Sequence, residues 1–274
     1  MKNRAIVTGI KGVFDSACVM LTSLCMNMKT EYDLIVYEQG LSDIEKEILK
    51  HVFGAKQVTL YAGIAHNPED PCIRQYSDMA FSKYECLNLL DDYEQVLWLD
   101  TDLLLRYPGS ESIFEYTSGF CFVRKETVSL ASHFLHGVPS LKYVRGFPTE
   151  KAFNSGVLLF NDNIKSTWEI YEWCLSFTRE QLAEQGLRYA DQGVWNLIPN
   201  LFDVATNDIG LTYNFSIGFE ENCHNPLIHH FYTPYKPWTD LPGANTWHGS
   251  FYVDEWLKWR EMSKALIRAR GFDI

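Results

Sequence analysis

Gln95-Val96-Leu97-Trp98-Leu99-Asp100-Thr101-Asp102-Leu103-Leu104-Leu105 is the stretch that decides the fold. Val96–Leu99 is apolar without interruption and too short for a helix, so it reads as a strand buried on both faces, the kind found in parallel sheets. Two aspartates follow at its carboxyl end, where open α/β sheets bind their ligands. At alternate positions across a turn, both can direct oxygens at one hard cation and leave room for phosphate oxygens. Two solvated turn aspartates would look the same in sequence, so the flanking chain has to decide.

Upstream, Ala5-Ile6-Val7-Thr8 followed by Gly9 reads as a buried first strand. Phe14, Cys18, Leu21, Cys25 and Met28 recur at helical spacing. Leu34–Tyr37 predicts a second strand, and Ser42 with Glu45 predicts a capping box opening a helix over 42–53. Val58–Leu60 is a third strand. Strand and helix alternating at this spacing predict a parallel sheet with right-handed crossovers. Residues 61–77 read as a loop and 78–91 as a helix. Further strands are expected at 119–123, 155–160 and 227–231. A helix over 164–185 carries Trp168, Tyr171, Leu175 and Leu182 on one side. No repeat or linker divides the chain, which predicts a single α/β domain over 1–252 with a C-terminal helix, 253–274, packed on it.

The chain of 274 residues carries 24 basic and 35 acidic side chains, a net charge of −11, which argues against nucleic acid as the main partner. At 15% aromatic residues it is no disordered chain. Seven widely spaced cysteines without a C-x-x-C pair argue against a disulfide framework and a Cys-rich zinc site, and predict a reducing, cytoplasmic compartment. Nowhere do eighteen apolar residues run together, so no transmembrane segment is expected.

Three more stretches carry chemistry. Leu227-Ile228-His229-His230-Phe231 delivers imidazole to a strand end, with Lys236-Pro237-Trp238 close behind. A neutral imidazole can complete a metal site, and a nearby Lys can hold a phosphate. His229 is expected to be a hydrogen-bonded core residue. Phe153-Asn154-Ser155-Gly156 places an amide and a close-approach glycine before a buried strand, and Asp191-Gln192-Gly193 places a carboxylate and an amide near a helix start. Hydroxyl-rich ligands such as sugars suit this mixture.

In this order, and together with Ser82-Lys83 and Tyr213-Asn214, these stretches resemble the retaining glycosyltransferases of family 8, the glycogenin-like and lipopolysaccharide-galactosyltransferase-like enzymes. The resemblance implies a GT-A fold with a Rossmann-like, mainly parallel sheet flanked by helices. It implies a UDP-sugar donor with Mn²⁺, or Mg²⁺ in its place, and a glycan, protein or polyol acceptor. Asp100, Asp102 and His230 would ligate the metal. Lys236 would neutralise the leaving phosphate, and Lys83 would touch the phosphate or the sugar. Asn154, Ser155, Asp191 and Gln192 would meet the sugar, with Thr8, Phe14 and Thr233 completing the donor site. The chain departs from the family pattern at Thr233, where glycine is common, at Arg188, where an acid is common, and in a short loop over Gly9–Val13. The expected reaction moves a hexose or an N-acetylhexosamine to a hydroxyl with retention, by same-face attack in which Gln192 positions the sugar.

Competing readings are a non-catalytic module for nucleotide sugars or glycans and a haloacid-dehalogenase-type phosphatase. The latter family wants Thr or Val where Leu104 stands. A homodimer is left open. Asn214-Phe215-Ser216 is formally a glycosylation sequon and is read as incidental. In the C-terminal helix, Asp254, Glu255 and Glu261 offset much of the basic charge, so packing of Trp256 and Trp259 on the domain is preferred over membrane contact.

Overall fold

The structure is a computed structural model and describes residues 3–64, 69–135, 151–217, 223–232, 236–238 and 250–273. Its elements run β1 (Arg4–Lys11), α1 (Phe14–Asn27), β2 (Asp33–Gln39), α2 (Asp43–His51), β3 (Ala55–Leu60), α3 (Pro71–Tyr76), α4 (Glu85–Asn88), β4 (Gln95–Leu99), β5 (Leu103–Leu105), β6 (Phe120–Ser129), β7 (Lys151–Asn161), α5 (Thr167–Ala183), α6 (Asp191–Leu201), β8 (Thr206–Asp208), β9 (Phe215–Ser216), β10 (Ile228–His230) and α7 (Ser250–Ala269). Short 3₁₀ turns fill several of the connections.

Seven strands form the main sheet in the order β3-β2-β1-β4-β7-β6-β8. β1 pairs in parallel with both β2 and β4, and β2 with β3, as the alternating pattern predicted. β7 runs antiparallel to both of its neighbours, β4 and β6. A second sheet, β5-β10-β9, sets Leu103 opposite His230 and Leu104 opposite His229. It continues the chain just past Asp102, so the aspartates sit at the seam between the two sheets.

The capping box forms as read: the Ser42 hydroxyl accepts from the Glu45 amide, and the Glu45 carboxylate accepts from the Ser42 amide. α1 leaves Cys25 of the predicted face exposed, yet it is buried on more than that face, because β5 and α7 pack on it as well. Its buried hydroxyls stay satisfied locally, with Thr22 donating to the Cys18 carbonyl and Ser23 to that of Met20. Ser23 Oγ also accepts from the Leu105 amide, and Asn27 donates to the Leu105 carbonyl, so α1 closes the end of β5.

Three local expectations are corrected. The stretch read as a loop contains α3, whose Asp70 cap accepts from the amides of Cys72 and Ile73 with Pro71 at the first helical position. That Asp-Pro pair is a helix start rather than a loop signal. The helix read over 78–91 breaks into 3₁₀, α and 3₁₀ pieces. In its first turn Ser82 Oγ donates to the Met79 carbonyl, a bond that competes with regular helix. In α5, Trp168 is 64% exposed, and the buried face runs through Ile170, Cys174, Phe177 and the expected Leu182, with Tyr171 and Leu175 partly buried beside it.

α7 packs on α1 through the Arg260–Asp15 ion pair (2.7 Å) and through Trp256, which is enclosed with Val19, Leu104 and Phe231. Trp238 lies against Trp256 at 5.3 Å between centroids, and Trp259 is partly buried against the same cluster. Trp256 is thus 1% exposed, whereas Trp259 stays half-buried beside it. No described helix is long and apolar enough to cross a membrane. Truncation of Trp256 to Ala is expected to cost about 3–5 kcal/mol in a urea melt, against less than half of that for Trp259→Ala.

Candidate active site

β4 ends at Leu99 and leaves Asp100 on the seam, its amide bonded to the Gly156 carbonyl at 2.9 Å. The Asp102 carbonyl accepts from the Phe231 amide at 2.9 Å, which ties the second aspartate to the strand that carries His230. Asp100, Asp102 and His230 bring one ligand atom each within 4.8 Å of one another. His230 Nε2 lies 3.1 Å from Asp102 Oδ1 and 4.0 Å from Asp100 Oδ2. This nitrogen is buried and makes no aligned hydrogen bond, while Nδ1 is held at 2.8 Å by Asn214 Oδ1. A buried imidazole nitrogen turned onto two carboxylates, with its other nitrogen bonded behind it, fits a divalent cation.

Two lysines surround this set. Lys236 Nζ sits 2.5 Å from Asp102 Oδ2 and also donates to the Phe231 carbonyl. Burial works to raise the Asp102 carboxyl, but Lys236 and His230 outweigh it and hold the group well below the usual carboxylate range. Lys83 is 3% exposed and lies between two acids, 3.1 Å from Asp100 and 3.2 Å from Asp191, while donating to Ser155 Oγ. Burial depresses its ammonium, yet Asp100 and Asp191 raise it further than burial lowers it. Burial pushes the Asp191 carboxyl up to about 6, with Lys83 opposing and Asp100 adding to the rise. Trp98 Nε1 donates to Asp100 Oδ1 at 2.7 Å and fixes that carboxylate from beneath.

Asn154, Ser155, Asp191 and Gln192 meet at the start of α6. Gln192 Oε1 accepts from Asn154 Nδ2 (2.8 Å) and from the Ser155 amide (3.2 Å). Sequence reading therefore names a group of residues that the structure assembles: Asp100, Asp102, His230, Lys236, Lys83, Asn154, Ser155, Asp191 and Gln192. Thr8 is fully buried in β1, opposite Val36 of β2, and Phe14 opens α1 and packs against the apolar cluster beneath it. Thr233 lies outside the described residues. Asn214 is fully buried, in line with an incidental sequon.

Two histidines complete the picture. His229, expected in the core, is fully buried, accepts from Arg106 Nη1 at 3.3 Å, and has its pKa pushed down to about 3 by burial and by Arg106. His133 carries no sequence signal, yet its Nε2 lies 2.7 Å from Gln192 Nε2, and burial holds its pKa near 4. Below about pH 6.5 the unfolded chain protonates both rings while the folded chain keeps them neutral. Stability is expected to fall as pH drops from about 6.5 toward 4, by about 1.4 kcal/mol per pH unit for each histidine. Urea melts of wild type and His229→Asn at about pH 7 and pH 5 read this directly, and the variant should show the smaller drop.

The chain matches the model of Glycosyl transferase family 8 over residues 14–241. No curated protein sequence matches it. Among solved structures it is similar to galactosyltransferase LgtC in complex with donor and acceptor sugar analogs, at 18% identity over 94% of this chain and 95% of that one, with a TM-score of 0.66. It is similar to the glycosyltransferase GlyE of Streptococcus pneumoniae at 18% identity over 97% of this chain, with a TM-score of 0.65, and spans 62% of that chain's length. Mouse xyloside xylosyltransferase 1 aligns at 14% identity over 88% of this chain and 99% of its own, with a TM-score of 0.53. These neighbours share the GT-A fold, with its mostly parallel sheet flanked by helices. The family match covers the seam, the start of α6 and the end of β10 alike, and this chain belongs to glycosyltransferase family 8.

Proposed function

We propose that the chain moves a hexose or an N-acetylhexosamine from a UDP-sugar to an acceptor hydroxyl of a glycan, protein or polyol, with retention and with a divalent metal, Mn²⁺ before Mg²⁺. The observation that carries this reading is the Asp100–Asp102–His230 set, with an imidazole nitrogen turned onto both carboxylates and Lys236 beside them. When bound, the cation would supply positive charge against the departing diphosphate. Seven free cysteines support a reducing, cytoplasmic setting.

Each residue then has a physical task. Cleavage at the anomeric carbon leaves positive charge on the sugar and negative charge on the diphosphate. Lys236, placed on Asp102, is within reach of the developing negative charge. Asp191, buried and adjacent to Lys83, supplies negative charge near the sugar, and burial of both groups strengthens that field. Gln192 Oε1 is committed to Asn154 and to the Ser155 amide, and an amide oxygen is a poor nucleophile. Both facts favour same-face attack, in which the leaving phosphate takes the acceptor proton, over a covalent intermediate on Gln192.

A panel of UDP-sugars with Mn²⁺, run against EDTA, tests the reading. Transfer from at least one donor, abolished by EDTA and restored by Mn²⁺, is expected, whereas full transfer in EDTA would remove the metal assignment. Asp102→Asn should lower transfer by about a hundredfold or more while the thermal midpoint moves little. Lys236→Ala should lower kcat by about 10²–10³. Unchanged kcat with a raised donor KM would instead make Lys236 a uniform binding group.

A further inference from the structure

The polar side chains behind the site form one directed line. It starts on β7, where two backbone amides act as fixed donors. Gly156 N–H donates to Asn154 Oδ1 at 3.0 Å, and Ser155 N–H donates to Gln192 Oε1 at 3.2 Å. A backbone N–H cannot reverse its role, so both side-chain amides have their oxygens assigned.

The rest follows from those two assignments. Asn154 Oδ1 is an acceptor, so Asn214 has to present Nδ2 to it, at 2.8 Å. Asn214 Oδ1 is then the atom that meets His230 Nδ1 at 2.8 Å, so that nitrogen carries the proton. Nε2 is thereby the ring atom left to face the carboxylate pair. In the other direction, Gln192 Oε1 is occupied by Asn154 Nδ2, so Gln192 Nε2 turns outward to His133 Nε2 at 2.7 Å. His133 has to accept there, and its proton lies on Nδ1. Two glycines make the geometry feasible. A Cβ on Gly156 would come within 2.2 Å of His230 Cε1, and one on Gly193 within 3.2 Å of His133 Cβ. The segment bearing His133 is clamped beside α6 by the Arg188 amide on the His133 carbonyl and the Leu135 amide on the Gly186 carbonyl.

We propose that Asn214 and His133 are positioning residues at the two ends of this line, Asn214 setting the Nδ1–H tautomer of His230 and His133 holding the Gln192 amide in one orientation. The proposal rests on the metal-assisted transfer reading for its purpose, though not for its geometry. A merely structural polar core would need neither a fixed tautomer nor a fixed amide face. Here one end aims Nε2 of His230 at the carboxylates, and the other holds the amide that lies beside Asp191.

Long-range ¹H–¹⁵N NMR of ¹⁵N-histidine-labelled protein, in the absence of metal, reads the tautomers directly. The signals are assigned by their loss in His230→Gln and His133→Gln. Both rings are expected to carry a proton on Nδ1 in the wild type, and a His230 ring with a bare Nδ1, or a His133 ring protonated on Nε2, overturns the proposal without any functional variant. Asn214→Leu should move His230 toward Nε2–H and weaken Mn²⁺ binding, measured calorimetrically, by about 10–100-fold. An unchanged tautomer and unchanged Mn²⁺ affinity would overturn the role of Asn214. His133→Leu should lower kcat while leaving Mn²⁺ affinity and donor KM unchanged, and His133→Gln, whose Oε1 can accept in place of Nε2, should restore most of the rate. Equal loss in both folded variants would overturn the role of His133. Wild-type protein with both tautomers as stated, but without Mn²⁺ binding or transfer, would overturn the functional reading and leave the line of bonds standing.

Discussion

The approach of the His230 ring to the bare backbone at Gly156 is the contact on which the rest of the site depends. One residue meets three demands there. Its carbonyl accepts from the Asp100 amide, its own amide orients Asn154, and its missing side chain is the space that the imidazole fills. Any larger residue would push His230 off the carboxylates while leaving the β4–β7 ladder intact. Glycine in a strand interior weakens the strand, and here that weakness coincides with the closest packing in the site.

Charge balance around the seam follows a similar logic. Asp100, Asp102 and Asp191 face Lys83, Lys236 and His230 across a few ångströms, and most of these groups have little solvent. Buried charges are tolerated only in pairs or networks. The two lysines have different settings. Lys83 is enclosed and shared between two acids, whereas Lys236 keeps a quarter of its side chain exposed.

Much of this was legible in the chain. The β4 strand and its aspartates, the parallel start of the sheet, the capping box and the trio Asp100, Asp102 and His230 all follow from local pattern, because apolar runs and strand-end acids announce themselves over a few residues. Three kinds of feature did not. Strands as short as β8 and β9 exist only through their neighbours, and no two- or three-residue pattern can encode them. The buried face of α5 is chosen by what packs on it, which left the large Trp168 outside. His133 lies 59 residues from the Gln192 that it meets, in a stretch with no motif of its own. The α3 start at Asp70-Pro71 was present in the sequence and was outweighed by the glycine and prolines around it.

The seam has a kinetic consequence. Lys236 and Asp102 are 134 residues apart in the chain, and the Arg106–His229 contact closes 123. Contacts of such long range carry the largest loop-closure cost and form only once the sheet that frames them is in place. The seam is thus among the last parts of the molecule to exist during folding and among the first to be lost on partial unfolding. A ligand that occupied it would bind only the finished chain and by mass action would selectively stabilise completed molecules over their late intermediates.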